Sequence, residues 1–256
     1  MSDCLTKILR AFNSSALARG SVRVRGTRFY GFTFDRLLYL WLHKLGLMGR
    51  CDSRQLGEEA KPGMTIVDVG ANVGVYTGLF SKSVGPNGKV IALEPSPSNW
   101  RALCKAAAEN HWTNVELHQI AAADRTGHMR FECSVFNSGN NALSADERSG
   151  GGLEVEVATL DSILAGRKVH FIKIDVQGWE ASVLRGARQT LSENRPLFAR
   201  VEIWPSGLRR AGSSADEVVD LLENAGLEIE AEDKLKLSDS KYSSGYFDIT
   251  ARAGSV

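Results

Sequence analysis

Residues 66–77 read IVDVGANVGVYT: an apolar run, a turn carrying Gly70 and Gly74, then a segment of helical character. A strand that passes through a glycine turn into a helix opens a βαβ unit. In open α/β sheets, ligands bind beyond the carboxyl ends of the strands, at such a turn. Glycine permits backbone conformations and close approaches that a Cβ blocks. The helix that begins after Gly74 leaves its first amides without intrahelical partners, facing the crevice.

The alternation continues along the chain. Further strands are predicted over 89–93, 115–119, 129–133, 155–157, 171–174, 196–203, 227–231 and 246–251. Helices are predicted over 75–83, 98–110, 160–164, 179–191 and 216–225. Strands alternating with helices imply an α/β fold with a largely parallel, Rossmann-like sheet. Lys61-Pro62-Gly63 punctuates the chain before the first strong strand, dividing it into an extension, 1–60, and a ligand-binding domain, 61–256. The extension reads as a helical segment over 4–18 and a hairpin around Gly26, with Asp35 placed to cap the helix that follows. The Gly-, Ser- and Asn-rich stretch 137–152 has few apolar anchors, which suits a surface loop or a lid.

Which ligand suits the turn? A dinucleotide fingerprint needs G-x-G-x-x-G, whose second glycine admits the pyrophosphate. Counted from Gly70, those positions hold Asn72 and Val75. Asp68 adds a carboxylate at the strand end, where it would repel a pyrophosphate. The same charge attracts a sulfonium and an ammonium, by about 4 kcal/mol at 4 Å in a partly dry crevice. S-adenosylmethionine carries both. Glu94, in VIALEPSPSN, ends the next strand about 20 residues past the glycine turn, where an acidic side chain accepts ribose hydroxyls. Pro95 and Pro97 halt that strand, and Ser96 or Ser98 can cap the next helix. In QIAAAD (119–124), the small Ala122 leaves room for a flat ring and Asp124 can meet an exocyclic amine. The expected cofactor residues are Asp68, Gly70, Asn72, Gly74, Glu94, Ser96, Ala122 and Asp124.

The segment FIKIDVQGWE (171–180), together with IVDVGANVG and ALEPSPSN, resembles the FkbM family of methyltransferases, over about residues 62–205 with the motifs in order. The resemblance implies a seven-stranded class I methyltransferase fold with an antiparallel last strand. It also implies O-methylation of a hydroxyl on a sugar, glycolipid or secondary metabolite. The family commonly has Glu where this sequence has Gln177, so one carboxylate is missing here. Independently of the resemblance, strand alternation puts Phe171, Lys173 and Asp175 on one side, and Gly178 permits a tight turn into the next helix. A hydroxyl acceptor needs its proton removed, for which a buried carboxylate of raised pKa serves. Asp175, Glu180 and Glu202 are the candidates, with Trp204 as a platform for a sugar or other ring. A divalent metal would lower the hydroxyl's pKa instead, but no ligand cluster is recognisable, so no metal is predicted.

Composition sets the remaining bounds. With 31 basic and 30 acidic residues there is no long-range field for nucleic acid. The four cysteines are scattered without a CxxC pair, and the first 20 residues lack the long apolar core of an export signal, so a cytoplasmic protein is expected. The apolar stretch 37–48 is too short to cross a bilayer but offers a face for packing or for a second subunit. The competing assignments are a nicotinamide-dependent oxidoreductase, disfavoured by the broken fingerprint, and a non-catalytic S-adenosylmethionine-binding protein.

Overall fold

The computed structural model describes residues 20–31, 34–45, 56, 59–132, 141–144, 152–238 and 245–253. A hairpin, β1 (Gly20–Val24) and β2 (Thr27–Gly31), leads into helix α1 (Phe34–Leu45). Then the predicted alternation begins with β3 (Thr65–Val69), α2 (Val75–Val84), β4 (Lys89–Leu93), α3 (Pro97–Glu109) and β5 (Val115–His118). Four short strands follow: β6 (Ala121–Ala122), β7 (Gly127–Glu132), β8 (Ala142–Leu143) and β9 (Leu153–Ala158). The chain continues through α4 (Leu160–Leu164), β10 (Phe171–Ile174), α5 (Glu180–Arg185), α6 (Arg188–Glu193), β11 (Phe198–Ile203), α7 (Pro205–Arg210) and α8 (Ala215–Asn224). It closes with β12 (Glu228–Ile229), α9 (Ala231–Ser238) and β13 (Phe247–Arg252).

Seven of these strands form the central sheet, in the order β12-β13-β11-β10-β3-β4-β5. β13 is antiparallel to both neighbours and the remaining pairs are parallel. This is the mostly parallel class I methyltransferase arrangement with an antiparallel late strand. From β3 the chain first builds toward β5, then returns to place β10 on the other side of β3. The switch point therefore lies between β3 and β10, where the ligand crevice of such a sheet forms.

Alternation along the strands assigns the two faces. Val67, Val69, Ile172, Ile174, Ala199 and Val201 join the main core with Ala181, Val183, Leu191 and Leu222 from the helices on that side. On the other face each central strand begins apolar and ends charged. Ile66, Phe171 and Phe198 pack with Phe80 of α2, with an edge-on Phe80–Phe171 contact at 5.3 Å. Two residues on come Asp68, Lys173 and Arg200, paired across the sheet in register. The polar end of this face is the end that carries the glycine turn.

The N-terminal hairpin docks on the helices beside this face. Val22, Val24, Phe29 and Leu40 share a core with Val75 of α2 and Ala102 and Ala106 of α3. Asn110 fixes the register by accepting from the Arg28 amide and donating to its carbonyl, at 3.0 and 2.7 Å.

Several elements differ from expectation. The strands predicted over 129–133 and 155–157 form a separate four-stranded sheet, β6-β9-β7-β8. The helix expected over 179–191 is broken between α5 and α6. There Gly186 lies so close to Ala123 that an added Cβ would stand 2.0 Å from its carbonyl oxygen. Helices α7 and α9 were not anticipated; α7 opens on Pro-Ser-Gly, which masks the helix formers that follow. The hydroxyl of Ser96 makes no cap bond to α3 although the residue holds the N-cap position. The expected helix 4–18 lies outside the described residues, as does most of the loop 137–152, of which 141–144 and Gly152 are described.

Candidate active site

The glycine turn is held from two directions. Gly70, Asn72 and Gly74 all have left-handed backbones, with φ of 85°, 54° and 90°. A Cβ on Gly70 would lie 2.0 Å from the Asp175 carbonyl oxygen, so the turn after β3 rests on the backbone leaving β10. From the other side, Glu94 Oε2 accepts the Asn72 amide at 2.8 Å, while Oε1 accepts the Ser96 amide at 2.8 Å and Asn99 Nδ2 at 3.2 Å. Glu94 thus ties the turns after β3 and β4 into one wall.

Asp68 is fully buried beneath this turn, where its Oδ2 accepts from Thr77 Oγ1 at 2.6 Å. Burial pushes its carboxyl up, against the opposing pull of Lys173 and Thr77. Its Oδ1, like Asn72 Oδ1, is a buried acceptor without a hydrogen-bond partner. Unsatisfied acceptors cost free energy unless a donor arrives. Acceptors and negative charge at this turn fit a cofactor that brings donors and positive charge, as S-adenosylmethionine does.

Lys173 organises the next layer. Its ammonium lies 3.1 Å from Asp175 Oδ2, 4.0 Å from Asp68 Oδ1 and 4.8 Å from the centre of the Tyr76 ring. Burial alone would lower its pKa, but Asp175 and Asp68 outweigh burial and raise it, so the amine stays charged. For Asp175, burial acts upward, yet Lys173 and the Gln177 amide prevail and hold the carboxyl below its usual range.

Gln177 joins Asp175 to Glu202. Its side-chain nitrogen donates to Asp175 Oδ1 at 3.0 Å and to Glu202 Oε2 at 2.7 Å. Burial raises the Glu202 pKa well above the usual value, and Asp175, Glu180 and Asp248 add to the effect. Two neighbouring carboxylates are thereby driven apart in acidity, which is how acid and base roles are separated at one site. Tyr39 of α1 feels the same charges, its phenol pushed up by burial, Tyr76, Asp175, Asp68 and Glu202.

Glu180 sits elsewhere. It is fully buried at the start of α5, and its Oε1 accepts the Val176 and Gly178 amides at 3.2 and 3.0 Å. Burial pushes its carboxyl up to about 7. It braces the loop that carries Gln177, whose own φ is 58°. That loop is pinned from outside as well, because a Cβ on Gly178 would lie 2.3 Å from Gly207 of α7. Trp179 ties it to the small sheet by donating to the Leu143 carbonyl at 2.8 Å.

Of the sequence-predicted residues, the structure gathers Asp68, Gly70, Asn72, Glu94 and Ser96 along one wall and Asp175 and Glu202 beside it. Ala122 is buried in the main core, and Asp124 pairs with Arg185 at 3.2 Å. Sequence reasoning gave no role to Gln177, Tyr39 or Tyr76. The IKIDVQG segment did offer a signal for Gln177, since a side chain one turn from Asp175 at a strand end faces the same crevice. Among the described residues, no group of three or more His, Cys, Asp or Glu side chains is placed to hold a metal ion.

The methyltransferase FkbM domain model matches residues 68–229, the stretch that builds both walls of this site. The chain belongs to the FkbM methyltransferase family. Among its relatives, the methyltransferase sdnD of Sordaria araneosa is 28% identical over 200 residues, covering 64% of this chain and 73% of that protein. The hexuronic acid methyltransferase AglP of Haloferax volcanii is 26% identical over 234 residues, covering 88% of this chain and 90% of that one. Among solved structures, a proposed rRNA-methylase from Clostridium thermocellum superposes with a TM-score of 0.50 at 10% identity, over 81% of this chain and 96% of that chain. That likeness concerns the fold alone. The cofactor of this class is S-adenosylmethionine, and the unpartnered acceptors at the glycine turn fit its donors and positive charge.

Proposed function

We propose that this FkbM methyltransferase O-methylates a hydroxyl of a small acceptor, a sugar, glycolipid or secondary metabolite, with Glu202 as general base. The observation that carries the reading is the Gln177 bridge, which sets an ionised Asp175 and a high-pKa Glu202 side by side at the ends of β10 and β11. A relative named for hexuronic acid methylation supports a sugar-like acceptor.

Gly70, Asn72, Gly74, Glu94 and Ser96 hold the cofactor, with Asp68 as the negative charge beneath it. S-adenosylmethionine, when bound, supplies an electrophilic methyl group on a sulfonium. Asp175, kept charged by Lys173, orients the acceptor hydroxyl, and Glu202 takes its proton. Alignment of reacting groups is worth about 7–11 kcal/mol, and a positioned base about 10²–10⁴-fold in rate. Glu180 acts through the loop it braces. Ala122, buried in the core, and Asp124, paired with Arg185, stay assigned to the adenine end of the cofactor.

The extension 1–60 contributes Tyr39 to the acceptor side of the site. The exposed Trp41 and Leu45 of α1 are where a second subunit would pack. No helix among the described residues is long and apolar enough to cross a membrane. The scattered cysteines favour work in the cytoplasm, and the even charge favours small acceptors over nucleic acid.

The test is product identity. Protein supplied with S-adenosylmethionine carrying a carbon-13 methyl is offered a library of glycosides and alcohols, and the products are read by NMR. Methyl ethers are expected. Methyl groups found only on nitrogen or carbon would overturn the reading, as would an absence of any product from protein that binds S-adenosylhomocysteine.

A further inference from the structure

We propose that Tyr246, Trp204 and Arg210 form the acceptor subsite, and that its ligand is a sugar ring carrying a carboxylate. This deepens the proposed function and rests on it. β11 and β13 run antiparallel with Glu202 opposite Asp248 and Ile203 opposite Phe247. The next pair outward is Trp204 and Tyr246, immediately past the proposed base. Their rings stack at 5.0 Å with planes 21° apart. Arg210, at the end of α7, lies with its guanidinium carbon 4.3 Å from the Trp204 ring.

Three observations suit a sugar acid. First, the aromatic rings on the sheet beneath are buried, whereas Tyr246 is 49% exposed. A half-exposed ring fixed by stacking offers a rigid apolar face to the C–H side of a pyranose, with little conformational entropy left to lose. Second, the Tyr246 phenol stands within the field of the site: burial and the charges of Glu202 and Asp175 push its pKa up, while Arg210 acts against them. Third, the charge on Arg210 is uncommitted. Arg167 pairs with Glu116, Arg185 with Asp124 and Glu217, Arg200 with Asp248, and Arg252 with Glu59 and Glu230. Arg210 is exposed and has no carboxylate partner among the described residues. A planar guanidinium recognises a carboxylate through two parallel hydrogen bonds.

Saturation-transfer NMR with methyl β-D-glucuronide and methyl β-D-glucoside, in the presence of S-adenosylhomocysteine, tests this. The wild type should bind the glucuronide at least about tenfold more tightly than the glucoside. Arg210→Gln should reduce glucuronide binding to the glucoside's level, Tyr246→Ala should abolish both, and Tyr246→Phe should restore them. Thermal unfolding and S-adenosylhomocysteine affinity should not change in any variant. Equal binding of the two sugars, or an Arg210→Gln variant that binds the glucuronide normally, overturns the acidic assignment. Failure of both sugars to bind while S-adenosylhomocysteine binds overturns the subsite and leaves the methyltransferase reading standing. Failure of S-adenosylhomocysteine itself would instead strike at that underlying reading.

Discussion

The side-chain nitrogen of Gln177 donates to Asp175 at 3.0 Å and to Glu202 at 2.7 Å, so one neutral amide separates two carboxylates on neighbouring strands. Gln177→Leu removes both donors. Asp175 retains Lys173, but Glu202 then faces the charges of Asp175, Glu180 and Asp248 with less compensation, and its pKa moves further up. The rising limb of the pH–rate profile should shift to higher pH, with the neutral-pH rate reduced about tenfold or more. An unchanged limb would mean that the bridge does not control the base.

Lys173 is the cation between Asp68 and Asp175; the first carboxylate is fully buried and the second partly so. Lys173→Met leaves buried carboxylates uncompensated, a change that costs about 3–5 kcal/mol. The wild-type pair also fixes a pH dependence. Asp175 has a depressed folded-state pKa, so its contribution is present above the ordinary carboxylate range and lost as pH falls through the folded value. Urea unfolding at pH 7 should show the loss, with the gap between the two proteins narrowing in acid. A loss below about 1 kcal/mol would contradict this account of Lys173.

Glu180 predicts the opposite sign. Its pKa is raised from 4.5 to about 7, so the folded state holds the proton more tightly than the unfolded chain. Stability from this group is complete at low pH and declines as pH climbs through about 7, by at most about 3 kcal/mol. Glu180→Gln keeps an oxygen for the Val176 and Gly178 amides and removes the titration. The variant should match wild type near pH 4 and unfold at a higher temperature at pH 8, with methyl transfer largely retained. Abolished transfer in a stable variant would make Glu180 a participant in the chemistry.

Gly70 predicts through sterics. An alanine there puts its Cβ 2.0 Å from the Asp175 carbonyl and must adopt φ of 85°. The glycine turn and the Asp175 loop would separate, and S-adenosylhomocysteine affinity measured by calorimetry should fall at least about tenfold. Near-normal affinity in Gly70→Ala would show that this contact does not shape the cofactor wall.

Much of the fold was legible because its signals are local. The strands 65–69, 89–93 and 171–174 are short, mainly apolar runs bounded by turns, each with a single charged residue, and all three form. The glycine turn, Glu94 and Asp175 each sit at the end of such a run, which places them on the crevice without knowledge of the packing. What stayed hidden depends on contacts between distant segments. Tyr246 meets Trp204 only because β13 inserts antiparallel beside β11. For Ala122 and Asp124 the sequence offered composition alone, and only the pairing of β6 with β9 sets Ala122 in the main core and Asp124 beside Arg185. The break after α5 likewise reflects the close approach of Gly186 to Ala123, which no periodicity reveals.

The most direct test of the central claim is the pH dependence of methyl transfer in wild type and Glu202→Gln, at saturating S-adenosylmethionine and with an acceptor alcohol found by product analysis. The wild-type rate should rise with pH through a limb set by Glu202, whose pKa burial and neighbouring charge have lifted. In Glu202→Gln that limb should vanish and the rate fall by about 10²–10⁴-fold, with S-adenosylhomocysteine affinity intact. The same limb and a similar rate in the variant would contradict the assignment of Glu202 as the base.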